Sequence, residues 1–202
     1  MRMIVFATNN ENKLKEVKAM LPSDIRLVSL SDLHYNHTLT ETADTLEENA
    51  LQKARFVRQK FGYDCFADDT GLEVDVLDGE PGVYSARYAG EECDSYANVQ
   101  KLLRNMSGAT NRRAHFRTVI ALILGDEEHV FEGVIHGQIT HSMRGNRGFG
   151  YDPVFVPDKR TETLAEMTDT AKNSVSHRAQ AVKKLVAFLM AVRRQMHQNA
   201  RR

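Results

Sequence analysis

The chain has 202 residues, enough for one large domain with a substantial core, and its 27 Lys and Arg balance its 27 Asp and Glu. This balance argues against a general nucleic-acid binder, which would need an excess of basic residues over one face. Two cysteines without metal-ligand spacing indicate reduced thiols and not a disulfide framework. No apolar run is long enough for a membrane span or a signal peptide. We therefore expect a cytoplasmic protein with neither a nucleic-acid nor a membrane partner.

The first part of the chain predicts strands that alternate with helices. Apolar runs and alternating polarity indicate strands at residues 3–7, 65–67 and 72–76. Apolar stripes of helical period indicate helices at residues 13–21 and 46–61. A Thr-x-x-Glu capping box precedes the second helix and a glycine follows it. An Asp-Gly pair is expected to turn the chain after the third strand.

The second part predicts a helix, a long hairpin and a terminal helix. A helix over residues 99–106 precedes two apolar strands, at residues 116–124 and 130–140, joined around a Gly-Asp turn. A short strand at residues 153–156 and an amphipathic helix over residues 182–196 complete the order. Strand–helix units followed by antiparallel strands predict an α/β or α+β protein with a long mixed sheet.

The first cluster of candidate binding residues lies between the first strand and the first helix. It comprises Thr8, Asn9, Asn10, Glu11, Asn12 and Lys13. Backbone N–H groups at a helix N-terminus favour an anion, and Lys13 adds a mobile positive charge. The P-loop and dinucleotide fingerprints are both absent from the sequence. The residues alone leave phosphate binding and simple helix capping by Asn10 or Asn12 equally open.

The second cluster is acidic and centres on Asp68 and Asp69. We expect both carboxylates at the end of a buried strand, before a glycine turn, where the sheet opens into a cleft. Adjacent carboxylates repel each other unless a cation or a proton relieves them. Mg²⁺ takes one or two carboxylates, waters and substrate phosphates, whereas no His or Cys cluster suits zinc. Glu47 is interpreted as a favourable first-turn helix charge, while a ligand role for Asp44 stays open.

The third cluster follows a glycine turn at residues 148–153. Three basic residues come after this turn and are expected just ahead of the terminal helix: Lys172, His177 and Arg178. The combination suits a phosphorylated ligand that carries a ring, which would stack on Phe149 or Tyr151. Arg178 would offer a bidentate fork to phosphate oxygens and Lys172 a point charge. A surface loop before a capped helix is the alternative interpretation.

Several motifs in register resemble the inosine triphosphatase family, whose members are dITP/XTP pyrophosphatases acting on non-standard purine nucleotides. The matching segments are residues 7–13, 48–54, 67–72, 81–88, 148–153 and 176–179. The resemblance covers nearly the whole chain, from about residue 3 to residue 190. It implies a long curved mixed β-sheet with flanking helices and two lobes around a nucleotide cleft. A single domain over residues 1–202 and a homodimer are expected.

The resemblance also implies roles for individual residues. The general base and a magnesium ligand fall on Asp69, and Glu41 is the second metal carboxylate, with Asp44 close enough to compete. At least one Mg²⁺ is implied per subunit. The phosphate loop falls on residues 8–13. Further ligand contacts fall on Lys53, Thr70, Phe149, Gly150, Tyr151, Asp152, Lys172, His177 and Arg178.

Together these features predict magnesium-dependent hydrolysis of dITP, ITP and XTP to the monophosphate and pyrophosphate. Such an enzyme would keep these nucleotides out of DNA and RNA. One alternative is a pyrophosphatase that prefers modified pyrimidines, and another is a nucleotide sensor that binds without turnover. The acidic residues Glu41, Asp68 and Asp69 argue against the sensor, because buried negative charge without a metal does not help to bind a polyanion.

Overall fold

The computed structural model describes residues 2–199, so residue 1 and residues 200–202 of the predicted domain lie outside it. The described strands are β1 (Arg2–Phe6), β2 (Ile25–Ser29), β3 (Cys65–Val74), β4 (Pro81–Gly82), β5 (Arg113–Leu124), β6 (Glu127–Ile139) and β7 (Phe155–Pro157). They form one mixed sheet in the order β2–β1–β3–β5–β6–β7, with β4 paired to β3. The helices are α1 (Glu11–Met20), α2 (Leu46–Phe61), α3 (Ser95–Asn105), α4 (Asp169–Val175) and α5 (His177–Asn199). The predicted α+β fold with a long mixed sheet is confirmed.

Parallel strands joined by helices build the first half of the fold, as predicted. β1 pairs in parallel with β2 and with β3. The side chain of Asn10 caps α1 by accepting a bond from the Lys13 amide at 3.1 Å. Thr45 caps α2 through the Glu48 amide at 3.2 Å. A full capping box would also have the Glu48 carboxylate accept a bond from the Thr45 amide. That carboxylate pairs with Arg55 instead.

The prediction of two strands separated by a glycine turn around residues 68–71 is wrong. β3 is continuous, and its antiparallel register with β5 runs unbroken from Cys65 to Val74. A Cβ on Gly71 would lie 2.7 Å from the carbonyl oxygen of Gly82 in β4. The glycine therefore permits close approach of a neighbouring backbone and does not form a turn. The predicted Asp-Gly turn does follow β3, where Asp78 and Gly79 both have positive φ.

The long hairpin is confirmed, whereas the start of the terminal helix was predicted too late. β5 and β6 pair along their lengths and are joined at Gly125 and Asp126. α5 begins at His177, five positions before the predicted residue 182, so His177 and Arg178 form its first turn and do not precede it. Both side chains are polar and buried, so the apolar pattern that predicted the helix could not include them. β2, β4 and α4 were not predicted.

The two faces of β3 pack against different helices. Cys65 and Ala67 belong to the hydrophobic cluster that contains α2, whereas Phe66 belongs to the cluster that contains α5. Successive side chains of a strand point to opposite faces. Further along β3, therefore, odd-numbered residues face the α2 side and even-numbered residues face the α5 side.

β1 ends early and leaves one edge of β3 open. Its pairing with β3 covers only Val5 with Cys65 and Phe6 with Phe66. Between Phe66 and Leu72, where β4 begins to pair on the same edge, this edge of β3 borders the loop between β1 and α1. No helix among residues 2–199 is both long and apolar enough to cross a membrane. The open edge of β3 is where the candidate site lies.

Candidate active site

A cavity of about 360 Å³ lies along the open edge of β3 and collects most of the predicted site residues. Its lining includes Thr8, Asn9, Asn10, Lys13, Glu41, Lys53, Asp69, Thr70, Phe149, Gly150, Tyr151, Asp152, Lys172, His177 and Arg178. Three other candidates are exposed and do not belong to the lining formed by the described residues: Glu11, Asn12 and Asp44. The predicted clusters thus converge on one cavity, although the chain separates them widely.

Asp68 is a buried charge partner for two cations. It faces the α5 side of the sheet, where Lys13 Nζ lies 3.1 Å from Oδ1 and Arg178 Nε lies 3.2 Å from Oδ2. Burial opposes ionisation of this carboxyl group, but Lys13, Arg178 and Lys53 hold its pKa well below the ordinary value. Because both oxygens are already engaged, Asp68 positions Lys13 and Arg178.

Asp69 faces the opposite side of the sheet and keeps one oxygen free. Its Oδ1 accepts a bond from the Thr70 amide at 2.9 Å and lies 3.8 Å from Lys53 Nζ. Its Oδ2 is buried and has no hydrogen-bond partner among the described residues. Burial raises the pKa of Asp69, although Lys53 and Lys13 oppose the rise. A buried carboxylate oxygen with high proton affinity suits a general base or a cation ligand. The sequence suggested that one cation could relieve both neighbouring carboxylates. They instead face opposite sides of the sheet and have different partners.

Lys53 on α2 lies near both Glu41 and Asp69, the two carboxylates expected to bind a metal. Its Nζ forms an ion pair with Glu41 and donates to the Asp68 carbonyl oxygen at 2.7 Å. Burial alone would lower the pKa of Lys53, but Asp69, Glu41 and Asp68 raise it above the ordinary value. Arg87 Nη1 lies 3.8 Å from the second oxygen of Glu41. Lys53 therefore stays charged between the two acidic residues.

The carboxylate oxygens of Asp69 and Glu41 fit magnesium. The free Oδ2 of Asp69 and the half-buried carboxylate of Glu41 border the same space. The described residues contain no group of three His, Cys, Asp or Glu that could hold a metal ion by itself. Waters and substrate phosphates would have to complete the coordination shell, which is the usual arrangement for Mg²⁺.

Arg178 ties three elements together at the first turn of α5. Its Nη1 lies 2.6 Å from Glu16 Oε2 on α1, and its Nη2 donates to Thr70 Oγ1 at 3.2 Å. With Nε on Asp68, all three guanidinium nitrogens already contact protein. The sequence predicted a fork open to phosphate oxygens, whereas protein contacts leave only the remaining N–H hydrogens of Arg178 for a ligand. Burial would lower the pKa of Arg178, but Asp68 and Glu16 raise it.

The ring of Phe149 also lines the cavity. Lys172 Nζ lies 4.9 Å from its ring centroid and Arg178 Cζ lies 5.6 Å from it. Tyr151, the alternative stacking residue, is buried, and its hydroxyl donates to the Ser85 carbonyl oxygen at 2.9 Å. Of the two rings, Phe149 is therefore the one that can present a face to a base.

Asp152 holds the Phe149 loop in place. Its Oδ2 accepts bonds from the Phe149 amide at 2.8 Å and from Lys172 Nζ at 2.6 Å. A Cβ on Gly148, which has a φ of 71°, would lie 2.1 Å from that same oxygen. The turn therefore requires glycine at this position. Burial raises the pKa of Asp152, while Lys172 opposes the rise.

His177 is a neutral buried ring beside this loop. It stacks on Phe116 with ring centroids 4.7 Å apart and an interplanar angle of 13°. Burial, and then the neighbouring charges of Arg178 and Lys172, lower its pKa well below the ordinary value. Its Nδ1 is buried without a hydrogen-bond partner among the described residues. This nitrogen can therefore serve a ligand.

Comparison with known families assigns the chain. The sequence profile of the Ham1 family matches residues 4–188. The chain belongs to the Ham1 family. This confirms the resemblance that the motifs suggested. The Ham1 chain is 50% identical over 190 residues to a Flavobacterium johnsoniae protein named dITP/XTP pyrophosphatase, covering 94% of this chain and 99% of that protein. A Porphyromonas gingivalis protein of the same name is 50% identical over 194 residues, covering 96% and 100%.

Solved Ham1 structures share the fold. The Ham1 protein of Staphylococcus aureus aligns with a TM-score of 0.85 at 41% identity, covering 94% of this chain and 99% of that one. A HAM1 protein from Coxiella burnetii aligns with a TM-score of 0.87 at 35% identity, covering 95% and 100%. The curved mixed sheet with flanking helices is therefore the Ham1 fold.

The sequence predictions did not include several polar residues in and around this Ham1 site, among them Glu16 and Thr118. Glu16 bonds Lys172 Nζ and Arg178 Nη1, each at 2.6 Å. Its spacing of three residues from Lys13 on α1 was an available signal, since such residues share a helix face. Thr118 contacts Thr70 from β5, and its position inside an apolar strand gave no sign of a polar contact.

Proposed function

We propose that the chain is a magnesium-dependent pyrophosphatase of non-standard purine nucleoside triphosphates, namely dITP, ITP and XTP. The products are the nucleoside monophosphate and pyrophosphate. The enzyme class, a hydrolase of a nucleoside triphosphate, follows from the family and from the names of its relatives. The observation that carries the proposal is the free, buried Oδ2 of Asp69, a residue that lines one cavity with Lys13, Lys53 and the half-buried ring of Phe149.

The phosphate end of the cavity supplies a base and positive charge. Asp69 Oδ2 can accept a proton from an attacking water, because none of residues 2–199 bonds it and burial raises its proton affinity. Lys13 and Lys53 border the same space and stabilise negative charge that develops on the leaving pyrophosphate. When bound between Glu41 and Asp69, magnesium supplies further charge neutralisation. Loss of one such charge contact is expected to cost about 3–4 kcal/mol of transition-state stabilisation.

The base end favours a purine with an acceptor oxygen at C6. Phe149 offers a stacking face that accepts any base. Lys172 and the N–H groups around Arg178 are donors, and adenine would meet them with its own amino donor. Sites that bond one substrate group can reject an analogue without it by on the order of 10⁴-fold. Guanine shares the C6 oxygen, so its rejection must depend on its 2-amino group.

The cellular role follows from this chemistry. Hydrolysis of dITP, ITP and XTP would remove them from the nucleotide pool and prevent their incorporation into DNA and RNA. We place the protein in the cytoplasm as a homodimer of single-domain subunits, with a nucleotide as its partner and with no nucleic-acid or membrane partner.

A substrate panel tests the proposal. The purified protein is given ITP, dITP, XTP, ATP, GTP or a modified pyrimidine triphosphate with magnesium. Pyrophosphate and orthophosphate are measured separately, and nucleotide binding is measured by calorimetry. We expect pyrophosphate from the first three, a rate with ATP lower by on the order of 10⁴-fold, and no turnover in excess chelator. The isosteric variant Asp69→Asn should lose at least about a hundredfold in rate and keep its melting temperature.

Each alternative has its own outcome in this panel. Full turnover in chelator contradicts the metal requirement, and an Asp69→Asn rate within tenfold of the parent removes Asp69 from the base role. Faster turnover of modified pyrimidine triphosphates would select the pyrimidine alternative. Tight nucleotide binding without any product would indicate a sensor.

A further inference from the structure

Thr118 lies directly behind a hydroxyl group of the cavity wall. It is the β5 residue paired in register with Thr70 of β3, and its side chain is fully buried. The two hydroxyl oxygens are 2.7 Å apart. Thr70 lines the cavity, whereas Thr118 is covered by it. Thr118 can therefore affect a ligand only through Thr70.

Counting hydrogens determines the direction of this bond. A hydroxyl group has one hydrogen and two acceptor sites. Thr70 Oγ1 already accepts from Arg178 Nη2 at 3.2 Å. Among the described residues, Thr70 is the hydrogen-bond partner of the Thr118 hydroxyl, and a buried donor that finds no acceptor costs about 1–3 kcal/mol. Thr118 is therefore the donor, and Thr70 is left with both acceptor sites filled.

The hydrogen of Thr70 is then free for a different acceptor. The Asp68 Oδ2 atom lies 3.4 Å away, a long contact, and that oxygen also accepts from Arg178 Nε. An anionic oxygen entering the cavity could offer a shorter, charge-assisted bond of about 2.5–2.7 Å. Lys13 lies on the same face and binds the other oxygen of Asp68, so a phosphate oxygen is the matching acceptor.

We propose that Thr118 is a positioning residue for phosphate binding. By donating to Thr70 and filling its second acceptor site, it makes the Thr70 hydroxyl a donor toward a phosphate oxygen. The inference rests on the proposed function of the cavity. In the opposite arrangement Thr70 would donate its hydrogen to Thr118, and the ligand would meet only the one remaining acceptor site of Thr70.

Binding of inorganic tripolyphosphate tests this role without involving the base. Calorimetry would compare the parent with Thr118→Val, which removes the hydroxyl at similar size, and with Thr118→Ser, which keeps it. We expect Thr118→Val to weaken tripolyphosphate binding about three- to tenfold, the range of one net hydrogen bond. Thr118→Ser should bind within about twofold of the parent, since its hydroxyl remains.

A double-mutant cycle with Thr70→Val separates positioning from general damage. If Thr118 acts through Thr70, Thr118→Val should have no further effect on binding once the Thr70 hydroxyl is gone. Additive losses, equal binding by parent and Thr118→Val, or an equal loss in Thr118→Ser would each overturn the inference. If Thr118→Val does not fold, the pair Thr118→Ser and Thr118→Ala isolates the same hydroxyl. Failure of the parent to hydrolyse ITP would count against the proposed function, whereas normal parent turnover with unchanged variants would count only against Thr118.

Discussion

At the scale of single residues, two neighbouring carboxylates have different environments. Asp68 and Asp69 are adjacent in the sequence, yet β3 sends them to opposite faces of the sheet. Three cations lower the pKa of Asp68, whereas burial raises the pKa of Asp69. Pairs of titratable groups whose surroundings move their pKa values apart commonly take different roles in acid–base chemistry. Asp68 accordingly orders cations, and Asp69 is the group that we propose as the general base.

The buried ring of His177 predicts a specific pH dependence of stability. Its folded-state pKa lies well below the ordinary value of 6.5, so the folded protein excludes a proton that the unfolded chain accepts. Below pH 6.5 the free energy of unfolding should therefore fall, by about 1.4 kcal/mol per pH unit from this group. Above pH 6.5 the ring is neutral in both states and contributes no slope.

Urea unfolding of the parent and His177→Gln at pH 7.5, 6.5 and 5.5 measures this contribution. Other titrating groups are common to both proteins, so the comparison isolates residue 177. We expect the stability of the parent to fall more steeply than that of the variant between pH 6.5 and pH 5.5. Parallel profiles would show that His177 is protonated in the folded protein.

At the scale of secondary-structure elements, the first turn of α5 packs directly against β6 at Gly133. A Cβ on Gly133 would lie 2.0 Å from the His177 carbonyl oxygen and 2.7 Å from the Ala181 amide nitrogen. Gly133 pairs with Thr118 on β5, so α5 starts above the strand row that contains Thr118 and Thr70. Because Gly133 has no side chain, α5 packs closely enough on β6 for Arg178 to reach Thr70.

The variant Gly133→Ala should displace α5 and with it Arg178. We expect a loss of about 1–3 kcal/mol in the free energy of unfolding, typical of overpacking, and a fall in kcat/KM for ITP. Gly137→Ala is the matched control, because its Cβ would lie 2.2 Å from the Val156 carbonyl oxygen, away from α5. Both should lose stability, and only Gly133→Ala should lose most of its activity when folded. Equal activity losses in the two variants would contradict the role of Gly133 in positioning α5.

Elements with a strong periodic pattern could be predicted, whereas those defined by tertiary contacts could not. The stripe of α2 and the apolar hairpin of β5 and β6 were predicted because burial follows the residue period directly. The strand β3 was divided in error, since Asp-Asp-Thr-Gly is typical of a loop. Only the pairing with β5 and the approach of Gly82 to Gly71 explain why this segment is extended.

At the scale of the whole molecule, the site joins the two ends of the chain. Glu16 on α1 contacts Lys172 and Arg178, which lie more than 150 positions later. Motifs could predict which residues gather, but the sequence contains no signal for which cation pairs with which acid. Such pairings depend on helix directions across the sheet, and in particular on α2 and α5 packing on opposite faces of β3.

This pairing has a consequence for the ligand. The cations of the cavity are already matched by carboxylates: Lys13 by Asp68, Lys53 by Glu41, Lys172 by Asp152 and Arg178 by Glu16. A triphosphate entering such a balanced site brings uncompensated negative charge. Additional positive charge must accompany it, which is the physical basis for the proposed magnesium requirement.

Hydrolysis of ITP in ¹⁸O-labelled water tests the central claim most directly. If Asp69 activates a water that attacks the α-phosphorus while the loop at residues 8–13 holds the distal phosphates, the label should enter inosine monophosphate. Mass spectrometry of both products gives the answer in one reaction, with magnesium present and no other phosphatase. The account predicts labelled inosine monophosphate and unlabelled pyrophosphate. Label in pyrophosphate, or labelled orthophosphate as the first product, would contradict it.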